Sequence, residues 1–417
     1  MRILIVAQNY YPFVGGVETH ARQVARELSK AHQVHIAAVN FAPCRLPKRL
    51  AMLHTSLLAP AYQSYQDGDV PVHALTPSLL DRLRMLPISA RAIPRLQRLA
   101  YHELNRFGYR WYRPVFQPRL ERLMQGVDVA HSLAGDYLGW TAQAAAQARG
   151  IPFVCTPFVH PHQWGDGPED VEYYQRAQAV IALVETDKRY LCSLGVPAEK
   201  IQVIGVSPEL PPSCDPEGFR RRHGLEGKPL VLYVGRMMAQ KGARAVLAAA
   251  PLVWHQMPEA HFVFIGPAER GTESWFADAD PRVLSLGRVS LQEKADALAA
   301  CDVFCMPSLS EILPTVYLEA WSLGKPVVGG RAEGLPELVE GNGAGLAVGQ
   351  QPEEIAAALL RLLRDSELRR CLGERGKALV ARSYSVPAVT GALLALYRRL
   401  CREVGSTGAE NEHALSL

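Results

Sequence analysis

The sequence predicts an α/β protein of two domains, each built around parallel strands. The chain has 417 residues, enough for two domains of ordinary size that each bury a core. It opens with an apolar strand at 3–7, a helix and a second strand at 34–39, and such a β-α-β unit places its two strands parallel. A further strand begins at 230–235, after a segment in which prolines prevent either a helix or a strand from continuing. We therefore expect a linker at this segment, which contains Pro208, Pro211, Pro212 and Pro216.

Composition and charge are those of a soluble globular protein. Hydrophobic residues make up 48% of the chain and charged residues 21%. The net charge of +4 is too small to indicate a nucleic-acid-binding protein. The eight cysteines are scattered, which favours reduced thiols over a disulfide framework, and the spacing of Cys301 and Cys305 is a poor metal signal.

Targeting and membrane segments are not predicted. The apolar opening is too short for the hydrophobic region of a signal peptide, because Gln8 and Asn9 follow it at once. No window has the length needed to span a bilayer. We therefore expect a cytoplasmic protein, either dissolved or resting on the inner face of the membrane.

Two adjacent glycines, Gly15 and Gly16, lie where the first loop meets the first helix. That helix has Val17, Ala21, Val24 and Leu28 on one face. Glycine allows a backbone to approach a ligand closely and to adopt a positive φ. The alternative is a tight turn needed only for packing. A nicotinamide-binding fingerprint would need G-x-G-x-x-G directly after the strand, and this pattern is absent.

Residues 79–125 form a basic segment in which leucines and aromatic residues are interleaved with arginines. Only Asp81, Glu103 and Glu121 oppose ten arginines. Three interpretations stay open: an interfacial helix attracted to anionic lipid, an ordinary solvated helical hairpin, and a site for an anionic acceptor. Nucleic acid is not expected, because no binding motif accompanies the local charge. The arginines are Arg82, Arg84, Arg91, Arg95, Arg98, Arg106, Arg110, Arg113, Arg119 and Arg122.

Two histidines, His160 and His162, follow a predicted strand at 152–156. A metal site would need further ligands, and none is close in sequence. A neutral histidine at a strand's exit can stabilise a developing positive charge or pass on a hydrogen bond. A purely structural histidine is the alternative.

Two cationic residues follow the first strand of the second domain. Arg236 follows the strand at 230–235 directly, and Lys241 comes five residues later, beside Gly242. Cations at a strand's exit, next to a helix start, are suited to holding a diphosphate and to neutralising charge on a departing nucleotide. Two solvated surface cations are the alternative.

Two glutamates flank the start of a helix later in this domain. Glu311 comes soon after the apolar strand at 303–306, and Pro314 suits the first turn of the helix that follows. Glu319 should lie about one turn into that helix. In open α/β sheets ligands bind at the carboxyl ends of strands, and a helix start offers free N–H groups to an anion.

This pattern resembles a known family. Glu311 and Glu319, with seven residues between them, are followed by Ala320 and by the segment 324–328, Gly-Lys-Pro-Val-Val. The arrangement resembles the retaining GT-B glycosyltransferases of family 4, also called group 1. The family more often has Gly-Phe after the first glutamate, where this chain has Ile-Leu at 312–313.

The resemblance implies the fold and the domain boundaries. It implies two Rossmann-like domains with the active cleft between them. Residues 1–207 would form the acceptor domain, and residues 208–385 would form the nucleotide-sugar donor domain. A terminal helix at 386–402 would pack back on the first domain, with Val389, Leu393, Leu396 and Leu400 on one face. Residues 405–417 would form a mobile polar tail.

The resemblance also implies roles for individual residues. Glu311 would lie near the donor sugar and the reaction centre, and His160, with His162 as second choice, would hydrogen-bond that sugar near its reacting end. Arg236 and Lys241 would hold the leaving diphosphate. The other predicted donor or nucleotide contacts are Gly15, Gly16, Arg288, Leu313, Thr315 and Glu319, the last of which would hold the ribose hydroxyls.

The implied reaction is transfer of a sugar from a nucleotide diphospho-sugar to a hydroxyl, with retention of configuration. The acceptor would be a glycan or a lipid-linked glycan, in the synthesis of cell-surface polysaccharide or glycolipid. A hexosyltransferase of this kind would need no cofactor and no metal, because arginine and lysine replace a bound cation at the leaving group. Two alternatives remain: a sugar-nucleotide 2-epimerase, and a catalytically silent homologue that acts as a partner subunit.

Overall fold

The computed structural model of the chain describes residues 1–13, 15–39, 62–93, 101–161, 164–269, 271–277 and 279–414. They divide into two compact units. The first unit contains Met1–Ile204 and Val389–Leu417, and the second contains Gly205–Ala388. Each unit has one sheet of mainly parallel strands with helices packed against it, so the predicted α/β class is confirmed.

The first unit contains an eight-stranded sheet in the order β3-β4-β2-β1-β5-β6-β7-β8. All neighbours are parallel except β3 and β4, which are antiparallel. The strands are β1 Arg2–Ala7, β2 Gln33–Ala38, β3 Tyr65–Asp67, β4 Val70–Ala74, β5 Val129–Ser132, β6 Phe153–Cys155, β7 Ala179–Ala182 and β8 Ile201–Val203. The helices are α1 Gly16–Ser29, α2 Leu79–Arg84, α3 Tyr101–Leu123, α4 Asp136–Ala148, α5 Pro168–Arg176 and α6 Glu185–Ser193, with 3₁₀ turns at Leu86–Ala92 and Ala198–Lys200.

The second unit contains a six-stranded parallel sheet in the order β11-β10-β9-β12-β13-β14. The strands are β9 Leu230–Val234, β10 His261–Ile265, β11 Val283–Gly287, β12 Val303–Met306, β13 Val327–Gly329 and β14 Gly345–Ala347. The helices from here to the C-terminus are α7 Pro216–His223, α8 Ala243–Trp254, α9 Leu291–Ala300, α10 Thr315–Ser322, α11 Leu335–Val339, α12 Pro352–Arg364, α13 Ser366–Leu379 and α14 Val386–Ala414. Short 3₁₀ turns occupy Ala239–Lys241 and Glu273–Phe276, and a π turn occupies Val380–Tyr384.

Alternation along β1 creates two cores in the first unit. Ile3 and Ile5 point into a core that includes α1 and α14, whereas Leu4 and Val6 point into a core that includes α3 and α4. Successive side chains of a strand face opposite sides of the sheet, so a fully apolar strand needs cover on both faces. The continuous apolar run in β1 is therefore explained by burial on both sides.

The C-terminal helix packs in the core of the first unit. Val389, Leu393, Leu396 and Leu400, the residues that the sequence places on one face, are all buried. The helix extends further than predicted, because it continues to Ala414 instead of ending near residue 402. The polar composition after residue 405 does not end the helix.

One prediction about membrane segments is wrong. The largely helical stretch Ser366–Val404 contains a window that is long and apolar enough, by length and composition, to cross a membrane. Core helices of globular proteins meet the same criterion. Leu393, Leu396 and Tyr397 of this stretch are buried in the first unit's core.

A buried polar network links this helix to the centre of the sheet. The ring of His131 on β5 hydrogen-bonds the Tyr397 hydroxyl at 2.6 Å and the Thr156 hydroxyl at 2.8 Å. Burial lowers the pKa of His131 to about 3, and nearby His20, also buried, contributes to the lowering. Burial lowers the pKa of His20 itself to about 4. Both histidines are therefore neutral in the folded chain at physiological pH.

We expect the first unit to lose stability as the pH falls below about 6.5, the usual pKa of an unfolded histidine. The unfolded state then binds protons that the folded state does not bind until the pH approaches 3 to 4. Each histidine contributes a slope of up to about 1.4 kcal/mol per pH unit. His131→Gln keeps both hydrogen-bonding ends without titrating, so it should make the slope shallower. Hydrogen exchange of the β5 peptide between pH 4.5 and 7.5 measures this, and equal slopes in both proteins would contradict it.

Candidate functional site

The carboxyl ends of β9 and β12 bring the predicted cations and carboxylates of the second unit together. The two strands are parallel neighbours in the middle of the sheet. Arg236 and Lys241 follow β9, and Glu311 follows β12. Because parallel strands end at the same edge, their exit loops meet there.

Lys241 and Glu311 form an ion pair at this edge. The Lys241 ammonium donates to Oε1 of Glu311 and, at 3.2 Å, to the carbonyl of Ser310. The side chains are only 20% and 14% exposed, respectively. Charge-assisted hydrogen bonds of this kind are stronger than neutral ones. Two residues predicted from separate motifs thus contact each other directly.

A left-handed glycine holds the lysine loop against the glutamate loop. Gly242 has a φ of 86° between the 3₁₀ turn that ends at Lys241 and helix α8. A Cβ at this position would lie 2.7 Å from the carbonyl oxygen of Pro307, in the loop after β12. The Gln350 amide donates to the carbonyls of both Gln240, at 3.2 Å, and Pro307, at 2.8 Å. The two loops are therefore joined by close packing and hydrogen bonds as well as by charge.

Arg236 lies at the more exposed side of the corner that the loops after β9 and β12 form. Its side chain is 59% exposed and forms an ion pair of 3.4 Å with Glu269, which is 40% exposed. Its carbonyl accepts a hydrogen bond of 2.9 Å from the Tyr233 hydroxyl, so the backbone is held more firmly than the side chain. An exposed ion pair contributes little stability. The guanidinium can therefore turn towards an anion with little loss.

Glu319 is buried in α10, and only one of its two carboxylate oxygens accepts a hydrogen bond of good distance and angle among the described residues. Its Oε1 accepts a hydrogen bond of 2.7 Å from the Lys294 ammonium on α9. Its Oε2 is buried without a hydrogen-bond partner by distance and angle among the described residues. Burial raises the pKa of Glu319, and Lys294 and the backbone N–H of Glu209 oppose that effect. A buried acceptor with an unused oxygen is suited to a ligand hydroxyl.

Sequence reasoning missed Lys294. Nothing in its local pattern sets it apart from other lysines on helices. It lies 25 positions before Glu319, and only the packing of α9 against α10 brings the two together.

The remaining predicted residues of the second unit lie around this corner. Leu313 is buried, and Thr315 begins α10. Pro314 precedes that helix as its N-cap and no side chain caps it, whereas the sequence placed this proline inside the first turn. Arg288 is exposed after β11, which is separated from β9 by β10. Two strand spacings amount to about 10 Å, so the strand before Arg288 and the strand before Lys241 are about that far apart.

The predicted residues of the first unit are Gly15, Gly16 and His160. Gly15 has an extended φ of −169°. Neither Gly15 nor Gly16 is among the described residues that have a positive φ. The positive-φ explanation for this pair is therefore wrong. The remaining explanation for a glycine is lack of room for a side chain, and it applies to Gly15 alone. A Cβ at Gly15 would meet the Glu18 carboxylate, whereas a Cβ at Gly16 would meet no atom within 4 Å.

His160 is held in a short loop with Trp164. Each backbone N–H donates to the other residue's carbonyl at 3.1 Å, and the two rings lie 5.1 Å apart. His162 falls outside the described residues. The loop fixes the position of His160, and its catalytic role stays a prediction.

Two family models match the chain in its two halves. Residues 14–206 match the model described as Glycosyltransferase Family 4. Residues 228–365 match the model described as Glycosyl transferases group 1.

Several curated relatives are glycosyltransferases by name. The chain is 32% identical over 187 residues to the alpha-D-kanosaminyltransferase of Streptomyces kanamyceticus, covering 44% of this chain and 48% of that protein. It is 36% identical over 165 residues to the sulfoquinovosyl transferase SQD2 of Arabidopsis thaliana, covering 38% and 31%. These matches span about half or less of the relatives' own length. A longer match, 25% identical over 410 residues and covering 91% and 93%, is to a GDP-mannose-dependent alpha-(1-6)-phosphatidylinositol monomannoside mannosyltransferase of Mycobacterium tuberculosis.

Solved structures with the same fold include Anabaena Alr3699/HepE in complex with UDP. Its TM-score is 0.69 at 19% identity, covering 96% of this chain and 100% of that one. The sucrose-phosphate synthase of Thermosynechococcus elongatus has a TM-score of 0.68 at 18% identity, covering 96% and 99%. At this level of identity the likeness concerns the fold alone. The two family models show that the chain belongs to the group 1, family 4 glycosyltransferases. The solved structures show that it has the GT-B fold.

Proposed function

We propose that the chain is a retaining, metal-independent hexosyltransferase that uses a nucleotide diphospho-sugar and no further cofactor. The acceptor is a hydroxyl of a glycan or of a lipid-linked glycan, in the synthesis of polysaccharide or glycolipid. The observation that carries the proposal is the Lys241–Glu311 ion pair. Arg236 lies close by in sequence, since it and Lys241 both follow the carboxyl end of β9. The names of the relatives, among them the phosphatidylinositol mannoside mannosyltransferase, support a sugar donor and a glycolipid or glycan product.

The donor is held by its diphosphate and its ribose. Arg236 and Lys241 supply two positive charges at the carboxyl end of β9, and charge-assisted hydrogen bonds to phosphate are strong. The unused Oε2 of Glu319 accepts a ribose hydroxyl. Leu313, Thr315 and Arg288 contribute the outer contacts to the nucleotide. The solved structure of Anabaena Alr3699/HepE, which has this fold, is a complex with UDP, and this agrees with a nucleotide ligand.

Cleavage of the donor places negative charge on the leaving diphosphate. The bond between the anomeric carbon and the phosphate oxygen breaks, and the anomeric carbon bonds to the acceptor oxygen on the same face. The acceptor proton passes to the leaving phosphate, so no external acid or reductant is needed. Lys241 and Arg236 stabilise the growing charge without a metal ion. Glu311, released from Lys241 as the diphosphate replaces it, orients the donor sugar and is not a nucleophile.

The two alternatives make different predictions. A 2-epimerase would convert the nucleotide sugar with no acceptor present. A silent partner subunit would be expected to have lost the cations or the glutamates, and this chain keeps all four. Gly15, Gly16 and His160 keep the predicted roles of contacting the donor phosphates and the donor sugar.

We also propose that the protein is cytoplasmic and binds the inner face of an anionic membrane through the basic segment 79–125. Eight of the fifteen exposed large apolar side chains among the described residues lie between 79 and 111, so apolar exposure is concentrated there. Phe107 and Trp111 are neighbours on α3, with rings 6.4 Å apart. The eight are Leu79, Leu80, Leu83, Leu86, Ile93, Tyr101, Phe107 and Trp111.

Arginines border these apolar side chains. Along α3, Arg106 and Arg110 occupy the stripe next to Phe107 and Trp111, and all four are exposed. Apolar side chains beside exposed cations are typical of a helix that lies on anionic lipid. Not every arginine is available, because Arg119 pairs with Asp81 at 2.6 Å inside the segment and Arg106 pairs with Glu169 at 3.2 Å. Arg95 and Arg98 fall outside the described residues.

Lys241→Met should reduce turnover by about 10² to 10³ and weaken the binding of UDP or GDP, because it removes charge from the leaving diphosphate. Glu311→Gln should lose turnover to a similar extent while still binding the nucleotide. A nucleotide-release assay over a panel of donors, with and without membrane extract, measures the first effect, and calorimetry measures the second. The matched control is Lys228→Met, which removes an exposed lysine of the same unit that pairs with Glu259. Unchanged turnover in both site variants would contradict the proposal.

Glu319→Gln should weaken the binding of a ribonucleoside diphosphate by about 10-fold or more, since it removes a charged acceptor for ribose hydroxyls. A 2′,3′-dideoxynucleoside diphosphate lacks those hydroxyls, so its affinity should be weak and nearly equal in both proteins. Calorimetry with the two ligands separates contact with the ribose from general damage to the site. Equal losses for both ligands would argue against the ribose contact.

Replacing Phe107 and Trp111 together by glutamate should weaken binding to anionic vesicles by more than about 10-fold, because two large side chains no longer enter the lipid. The measurement is co-sedimentation with vesicles of phosphatidylglycerol and phosphatidylcholine, compared with phosphatidylcholine alone. Leu252 and Leu291, each 39% exposed in the second unit, provide the matched double glutamate control. If the original chain does not sediment with the anionic vesicles, the membrane proposal fails.

A further inference from the structure

A cavity of about 450 Å³ lies in the first unit. The loops after β1, β5 and β6 line it, together with the 3₁₀ turn at Leu86–Ala92. The carboxyl ends of parallel strands are the usual place for ligands in open α/β sheets. Its size suits a monosaccharide or a molecule slightly larger.

Arg91 lines this cavity and is buried without a close carboxylate. Its side chain is 8% exposed. Its nearest ion-pair partner among the described residues is Asp136, at 3.8 Å, too long for a hydrogen bond. Its guanidinium lies 4.4 Å from the centre of the Tyr137 ring and approaches that residue's hydroxyl. A buried guanidinium is costly unless its five N–H groups are used, and these contacts use few of them.

Backbone strain is concentrated at the same cavity. Asp136 and Phe158 are the residues other than glycine that have positive φ in the described part of the chain, at 55° and 50°. Both line the cavity. Such a conformation is unfavourable for a bulky residue like phenylalanine, by about 1–3 kcal/mol, and strain of this kind clusters at ligand sites.

The other charges in the cavity restrict where an anion can sit. Glu18 and Asp136 also line it, each in the first turn of a helix, where negative charge is favoured. Their negative charge disfavours an anion in the cavity except where the Arg91 guanidinium offsets it, and they are good acceptors for hydroxyl groups. Phe158 and Trp164 add apolar surface. The cavity therefore combines one place for an anion with several acceptors for hydroxyls.

We propose that this cavity binds a hydroxyl-bearing ligand through a single anionic group, a carboxylate or a phosphate, that pairs with Arg91. The ligand is a saccharide of uronate or sugar-phosphate type. That it serves as the acceptor of sugar transfer rests on the proposed function, whereas its binding does not. Arg91 is in this account a specificity residue, and it takes no part in bond cleavage.

The test is direct binding without nucleotide, by calorimetry or ligand-observed NMR. The probes are glucose, glucuronate, glucose 6-phosphate and inorganic phosphate. Glucuronate or glucose 6-phosphate should bind at least 10-fold more tightly than glucose, and the tighter of the two identifies the anion as carboxylate or phosphate. Arg91→Gln should abolish the preference, and Arg91→Lys should keep part of it. Arg149→Gln, at an exposed arginine of the same unit, should change nothing.

The Asp136→Asn variant shows whether a loss of binding in the Arg91 variants could be due to misfolding alone. Asp136 is 57% exposed, and asparagine tolerates a positive φ, so the unit should stay folded. Removing the competing carboxylate should strengthen binding of the anionic sugar several-fold, a gain that misfolding cannot produce. The proposal is overturned if no probe binds, if glucose binds as well as the anionic sugars, if inorganic phosphate binds as tightly as they do, or if Asp136→Asn weakens binding.

Failure of this proposal is distinguishable from failure of the proposed function. Sugar transfer to neutral acceptors, with no anion preference, would remove the Arg91 site and leave the transferase. Tight binding of an anionic sugar with no transfer from any donor would do the reverse.

Discussion

The ion pair between Lys241 and Glu311 is the interaction on which the site of the second unit depends. It joins the loop after β9 to the loop after β12, and Gly242, packed against Pro307, fixes the approach of the two loops. A largely buried carboxylate needs a counter-charge, and the same lysine is suited to a diphosphate. Nucleotide binding can therefore be an exchange of one anionic partner for another, which keeps the charge of the corner balanced in both states.

Local pattern predicted the parts of the second unit that depend on short sequence distances. The strand before Arg236, the loop that carries Glu311 and the helix that carries Glu319 lie where the sequence placed them. The choice of partners could not be predicted in this way. Whether Lys294 contacts Glu319, or Lys241 contacts Glu311, depends on which strands and helices become neighbours, and that order is a property of the whole sheet.

In the first unit the arginines of the basic segment differ in environment, and composition cannot show which are paired, which are buried and which are exposed. Arg119 bridges to Asp81, Arg91 is buried beside a cavity, and Arg110 is exposed beside Trp111. The sequence left three interpretations of the segment open because composition does not show these environments. The glycine pair shows a similar limit, since its residues were predicted correctly as a loop–helix junction but for a conformational reason that the φ angles do not support.

The most direct measurement is a crystal structure of the chain with bound nucleoside diphosphate. We expect phosphate oxygens within hydrogen-bonding distance of the Arg236 guanidinium and the Lys241 ammonium, with Lys241 moved away from Glu311 and a ribose hydroxyl on Oε2 of Glu319. A diphosphate bound elsewhere, with the Lys241–Glu311 pair unchanged, would contradict it.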